Sequence, residues 1–346
     1  MRAAVYYNNN DIRIEEIPRP QAGPGEILVR IEASGICGSD VMEWYRINKA
    51  PLVLGHEIAG VIEETGDGVT KYRKGDRVCV SHHVPCNTCY YCRNGHQTAC
   101  ETLRTTRFYP GGFAEYVRIP AINVDRGVYP IPDEVSFEEA TFTEPAACVL
   151  RGQKKAKIQP GQSVLVIGSG ISGLLHINMA KALGAGRIIA VDINEYRLKA
   201  AKQFGAEHIV QVKKDQDSGL PDIIRKYNNG LLADLVIICA GAVPAIEQGL
   251  QCVEHGGSIL LFAPTEPGIT IPLSINDMFW GNDVTITTSY AGSPADHYDA
   301  LELIRAKRIN VMEMITHRLP LAETGVGFKL VAEAKESIKV IIEPHK

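Results

Sequence analysis

Four of the chain's nine cysteines, Cys86, Cys89, Cys92 and Cys100, fall in one short stretch, PCNTCYYCRNGHQTAC. Between them stand polar, turn-forming residues (Asn87, Thr88, Asn94, Gly95) that bury too little apolar surface to order a loop. Two disulfides, free thiols or one metal ion are the available chemistries. Four thiolates at about 2.3 Å complete a tetrahedron around Zn²⁺ and leave no position for water, so the spacing predicts a structural ion and not a catalytic one. Arg93 and His96 read as solvated loop residues.

A second set has the opposite character. GICGSD supplies Cys37, Ser39 and Asp40, and VLGHEIAGVI supplies His56 and Glu57. FTEPAACV adds Glu144 just before a proline. A thiolate, an imidazole and a carboxylate suit Zn²⁺ and leave its fourth position open, the pattern of a catalytic site. Singly these signals are weak. An isolated His-Glu pair is commonly a surface feature, and Glu144 could cap the helix that PAACVLRGQ begins.

The third set is glycine-based. Gly168, Gly170 and Gly173 follow the apolar run SVLVI as G-x-G-x-x-G, with Ile171 and Ser172 between the last two. The first glycine permits a tight turn, the second lets backbone approach a pyrophosphate, and the third lets helix and strand pack closely. The pyrophosphate would sit on the positive helix N-terminus. RIIAVD then ends in Asp192, at the distance where a carboxylate meets a ribose diol. There it would accept from both hydroxyls of NAD and repel the 2′-phosphate of NADP; the alternative is an N-cap for the next helix. Arg197, five residues on, is counted with the same cofactor-binding set.

The elements that must carry these residues are legible from period and composition. From about residue 150, SVLVI, RIIAVD, ADLVIICAG and GGSILLFAP alternate with amphipathic stretches, which predicts a doubly wound parallel sheet. His176, Met179, Cys239 and Cys252 read as core positions within it. Upstream, DIRIEEIP and EILVRIEASG alternate with the period of strands. With 346 residues, two domains are expected. At 45% hydrophobic, 22% charged and net −4, the chain has average composition and shows no basic cluster for nucleic acid or anionic membrane. No apolar run approaches the ~18 residues of a span, and MRAAVYYNNN does not read as a signal peptide. A cytoplasmic protein is expected, a compartment where thiols stay reduced and clustered cysteines favour metal over disulfides.

Taken in order, Cys37-Gly-Ser-Asp, Gly55-His-Glu, Gly75-Asp-Arg-Val, the cysteine lobe, GGFAEY, Glu144-Pro and the glycine motif with Asp192 resemble the zinc-dependent medium-chain dehydrogenases over nearly the whole chain. Glu57 beside His56, and Glu144-Pro, are similar to the sorbitol (polyol) and threonine 3-dehydrogenase branch. The resemblance implies an α/β architecture: a GroES-like β-barrel catalytic domain over 1–150, completed by 290–346 and a last strand KVIIEP, plus a Rossmann NAD-binding domain over 151–289. The lobe would be about 85–101. It implies two Zn²⁺ per chain, one catalytic on Cys37 and His56 with Glu57 or Glu144, and one structural on the four cysteines.

By the same resemblance Ser39 bonds the substrate oxygen and Asp40 orients the ligand histidine. One departure stands out. Many members carry a relay histidine five positions after the cysteine ligand, and here that position is Met42. His83, with His82 as its neighbour, is the candidate replacement, with loop histidines in solvent as the alternative. The expected activity is oxidation of a secondary alcohol or polyol by NAD⁺; the alternative is a threonine-type amino-alcohol substrate. Arg104 or Arg107 could then bind a carboxylate or simply be solvated, whereas Phe279 and Trp280 suit a less polar alcohol. The expected partners are a small-molecule substrate and further copies of the chain, as homodimer or homotetramer.

Overall fold

SVLVI has no polar interruption, and a strand apolar on both faces must be covered on both. The computed structural model describes residues 1–213 and 219–346. In it Ser163–Ile167 (β1), buried at all five positions, lies at the centre of a sheet. Among the described residues that sheet has six parallel strands. They continue as Arg187–Asp192 (β2), His208–Gln211 (β3), Ala233–Ile238 (β4), Val253–Leu261 (β5) and Thr285–Thr288 (β6), in spatial order β3-β2-β1-β4-β5-β6. The order reverses between β1 and β4, the place where a doubly wound sheet opens a crevice at its carboxyl end. Leu165, Ile167, Val191, Val236 and Ile259 pack its core. This compact unit spans residues 148–290.

A second compact unit joins residues 1–147 to 291–346. Its larger sheet runs Ile315–Pro320, Lys339–Glu343, Ile27–Gly35, Glu57–Thr65, Arg77–Val80, Val128–Pro130, with Tyr116–Ile119 also on Ile27–Gly35. Ile27, Val29, Ile31, Ile58, Ile62 and Val78 fill the interior. DIRIEEIP also forms a strand, Asp11–Glu16, but at the margin of a separate three-stranded sheet, so Ile14 stays 38% exposed despite the alternation.

Register here brings distant residues together. Gly35 is opposite Glu57 on one side, and Ile341 is opposite Gly35 on the other. A Cβ at Gly35 would come within 2.2 Å of Glu57 Oε2 and 2.7 Å of Lys339 Cε. Only a residue without a side chain lets those two groups meet over the strand. Among the described residues no helix is long and apolar enough to cross a membrane.

Candidate active site

GICGSD folds as a capping box built on sulfur. Cys37 precedes the 3₁₀ turn Gly38–Asp40, its Sγ accepts from the Ser39 amide at 3.4 Å, and Asp40 Oδ2 accepts from the Cys37 amide at 3.0 Å. The Ser39 hydroxyl also donates to Cys37 Sγ, at 3.4 Å. The turn thus aims the thiol, the hydroxyl and the carboxyl from four consecutive residues. Glu57 begins the strand Glu57–Thr65, with His56 immediately before it. His56 Nδ1 lies 3.4 Å from Asp40 Oδ1, and Asp40 is fully buried.

Ligand atoms of Cys37, His56 and Glu57 lie within 4.8 Å of one another. The donor set fits a divalent cation electrostatically. Burial works against charge on the His56 imidazole, yet Asp40 and the Cys37 thiolate outweigh it and hold that pKa well above its usual value. A sulfur, an imidazole and a carboxylate that converge within 4.8 Å are the kind of donors that hold zinc. Glu144, in the first turn of the helix Thr143–Lys155, is not among the three clustered residues. It lines a small pocket with Cys79, Tyr129, Thr143 and His297.

The lobe sulfurs form a closed group. All four lie within 4.8 Å, with Sγ–Sγ distances of 3.5 Å for Cys89–Cys92 and 4.0 Å for Cys86–Cys92. A Zn–S tetrahedron with bonds of about 2.3 Å has edges of about 3.8 Å, between these values. The Thr88 hydroxyl and the amides of Thr88 and Cys89 donate to Cys86 Sγ and lower its pKa to about 5. Burial, with the neighbouring Cys89 sulfur, pushes the Cys92 thiol up to about 12.

In the other unit, Gly173 sits where a Cβ would come within 1.8 Å of the Gly168 carbonyl oxygen, so the helix Ile171–Ala182 packs directly on the turn. Asp192 does not cap the next helix; Asn194 does, accepting from Tyr196 and Arg197 amides. The Asp192 carboxylate instead accepts from the Ser169 amide at 2.6 Å and the Asn194 amide at 2.8 Å, tying the end of β2 to the glycine turn. Arg197 lies over Gly170, with Nη1 3.6 Å from a Cβ built there, and its buried Nε has no hydrogen-bond partner among the described residues. An unsatisfied buried donor over a backbone turn at the carboxyl end of these strands fits an anionic, ribose-bearing ligand.

Residues 23–133 match the model of the alcohol dehydrogenase GroES-like domain, and residues 172–306 that of the zinc-binding dehydrogenases. The chain is 33% identical over 343 residues to a probable D-xylulose reductase A of Aspergillus fumigatus, covering 96% of this chain and 94% of that one. The chain belongs to the zinc-binding alcohol dehydrogenase family. To the sorbitol dehydrogenase of Bacillus subtilis it is 31% identical over 358 residues, covering 100% and 98%. Among solved structures it is similar to an alcohol dehydrogenase from Thermus sp. ATN1, at 30% identity, 99% coverage of both chains and a TM-score of 0.85.

As a zinc-binding alcohol dehydrogenase, this chain contains supporting residues that its motifs do not announce. Lys339 pairs with Glu57, each 1% exposed, and also donates to the Ile36 carbonyl. No local spacing links residues 57 and 339; only the sheet register does. Of the two candidate histidines, His82 is the one against the metal cluster, its ring 4.7 Å from that of His56. His83 stacks on His82, at 3.7 Å. Burial, and after it the charge of the neighbouring His56, hold the His83 pKa down at about 3. Arg104 and Arg107 are both exposed. Trp280 is 80% exposed. His176 is a core residue, as its helix position suggests: it is buried, with Gln153 Nε2 3.1 Å from its Nδ1.

Proposed function

We propose that this chain oxidises a secondary alcohol of a polyol to a ketone, reversibly, with NAD⁺ as hydride acceptor. The observation that carries the reading is the cluster of Cys37, His56 and Glu57 with the Ser39 hydroxyl bonded to Cys37 Sγ. Colinearity with a sorbitol dehydrogenase and a xylulose reductase supports the substrate class. The threonine-type alternative finds no support in those relatives, and its two candidate cations are exposed.

In this reading Cys37 and His56, with Glu57 or Glu144, hold one zinc, and Cys86, Cys89, Cys92 and Cys100 hold another. When bound, the first zinc supplies a Lewis acid that acidifies the alcohol. Ser39 orients the alcohol oxygen and accepts its proton while its own hydroxyl hydrogen passes on to water. Asp40 keeps His56 in the tautomer that leaves Nε2 for metal. Gly168, Gly170, Ile171, Ser172 and Gly173 bind the pyrophosphate, and Asp192 with Arg197 the adenosine ribose, a preference for NAD over NADP. Residues 1–150 with 290–346 act as the catalytic domain and 151–289 as the cofactor domain. The enzyme works as a cytoplasmic homodimer or homotetramer.

The test follows NADH absorbance over polyols, simple secondary alcohols, cyclic alcohols and threonine, each with NAD⁺ and NADP⁺. Polyol turnover with at least tenfold higher kcat/KM for NAD⁺ is expected. Turnover of threonine alone, or equal use of both cofactors, contradicts the reading.

A further inference from the structure

Met42 has only a thioether, a weak acceptor that carries no exchangeable proton. The side chain that does reach Ser39 comes from four residues further on. Met42 caps the one-turn helix Glu43–Arg46, and the Arg46 amide bonds back to the Met42 carbonyl at 3.2 Å. That turn returns the Arg46 guanidinium over the 3₁₀ turn before it. Nε donates to the Ser39 carbonyl at 2.9 Å, and Nη2 donates to Ser39 Oγ at 3.1 Å and to Asp40 Oδ1 at 3.4 Å. The Arg46 side chain is 11% exposed. Asp40 Oδ1 is the same oxygen that faces His56 Nδ1.

We infer that Arg46 is the positioning residue for Ser39, and through Asp40 for His56. The inference rests on the reading of Ser39 given above and deepens it. A serine hydroxyl has one hydrogen and two lone pairs. Arg46 fills one lone pair, and a guanidinium has no acceptor, so the hydroxyl hydrogen cannot turn toward it. The hydrogen is left to donate to Cys37 Sγ, where the structure shows the bond, and one lone pair is left for the alcohol. Anchoring the Ser39 carbonyl as well removes the backbone freedom that would undo this. Arg46 takes no proton, because a guanidinium stays charged at any working pH. Lysine is a poor substitute, since one ammonium lacks the flat fork that spans carbonyl, hydroxyl and carboxylate together.

A double-mutant cycle tests this: wild type, Arg46→Met, Ser39→Ala and the pair, measured for kcat and KM with the alcohol the screen identifies. Arg46→Met is expected to lower kcat by about 10- to 100-fold, the scale of a misplaced reacting group, and to change KM by less than about threefold. In the Ser39→Ala background the same change is expected to lower kcat severalfold less than in wild type, because the bond to the hydroxyl is already gone and only those to the residue 39 carbonyl and to Asp40 remain to be lost. Arg46→Lys should fall between wild type and Arg46→Met; it replaces Arg46→Met in the cycle if that variant does not fold. Crystal structures give a readout apart from activity: one Ser39 rotamer in wild type and a mixture in Arg46→Met, with two zincs per chain and unchanged NADH binding in both. Equal kcat losses in both backgrounds, or an unaltered Ser39 rotamer, overturn the inference. A wild type that oxidises no alcohol defeats the proposed function instead, and the rotamer comparison still decides the role of Arg46.

Discussion

The two cysteine-bearing clusters of the first unit are built on opposite plans. The lobe takes all four sulfurs from residues 86–100, a stretch whose own amides and the Thr88 hydroxyl donate to Cys86 and Cys100. The Cys37–His56–Glu57 cluster takes its donors from two stretches and gives each a dedicated partner: Ser39 for Cys37, Asp40 for His56, and Lys339, from the far end of the chain, for Glu57. A site made of four like donors closes on itself and can only hold. A site whose donors differ, and whose partners are themselves polar and buried, keeps one direction open and tunes each ligand separately.

The largest expected effect separates the two plans by activity. His56→Ala should lose one zinc and lower kcat by about 10⁴-fold or more, the order carried by a metal that acidifies its ligand. NADH binding should persist, because the glycine turn and Asp192 lie in the other unit. Turnover that survives in a one-zinc His56→Ala protein would place the chemistry elsewhere.

Lys339→Met probes the partner instead of the ligand. It leaves the Glu57 carboxylate buried without its counter-charge, at a cost of about 3–5 kcal/mol. The metal can replace that counter-charge, so the chelated protein should lose much more stability than the zinc-loaded one. Denaturant melts with and without chelator measure the difference; equal losses would mean that Glu57 does not share its charge with the metal.

Cys92→Ser sharpens the comparison from the other side. Losing a cross-link around a loop of residues 86–100 should cost about 3 kcal/mol by the chain-entropy argument. Zinc content should fall from two to one per chain, while kcat per folded, catalytic-zinc-loaded chain stays within about threefold. A folded variant that keeps both zincs defeats the assignment of the lobe.

The smallest effect lies outside both clusters and separates acid damage to the fold from acid release of metal. Burial holds the His176 pKa at about 3. Below about pH 6.5 the unfolded imidazole binds a proton that the folded one refuses. The stability from His176 is therefore whole above that pH and falls at up to about 1.4 kcal/mol per pH unit on acidification, until the folded group titrates as well. In chelated protein, His176→Gln should shrink the drop in denaturant midpoint between pH 7 and pH 5, equivalent to about 2 kcal/mol. Parallel acid limbs in the two proteins would show that His176 contributes nothing to acid sensitivity.

Sequence alone determined what is local. The doubly wound sheet follows from elements whose period and glycine turns sit within short windows, as in SVLVI followed by Gly168, Gly170 and Gly173. The lobe was legible because its four sulfurs share one loop, and Cys37, Ser39 and Asp40 because one capping turn aims all three. Tertiary structure alone decided what depends on register and return of the chain. It seated Lys339 on Glu57 across a glycine that no spacing rule singles out, and turned His82, not His83, toward His56. It also folded Arg46 back onto Ser39. The reason is physical. A ligand must present a particular atom type, which composition and spacing reveal, whereas a partner needs only to arrive within about 3 Å with the right charge. Any stretch of chain can supply it, so sheet pairing and packing choose which one does.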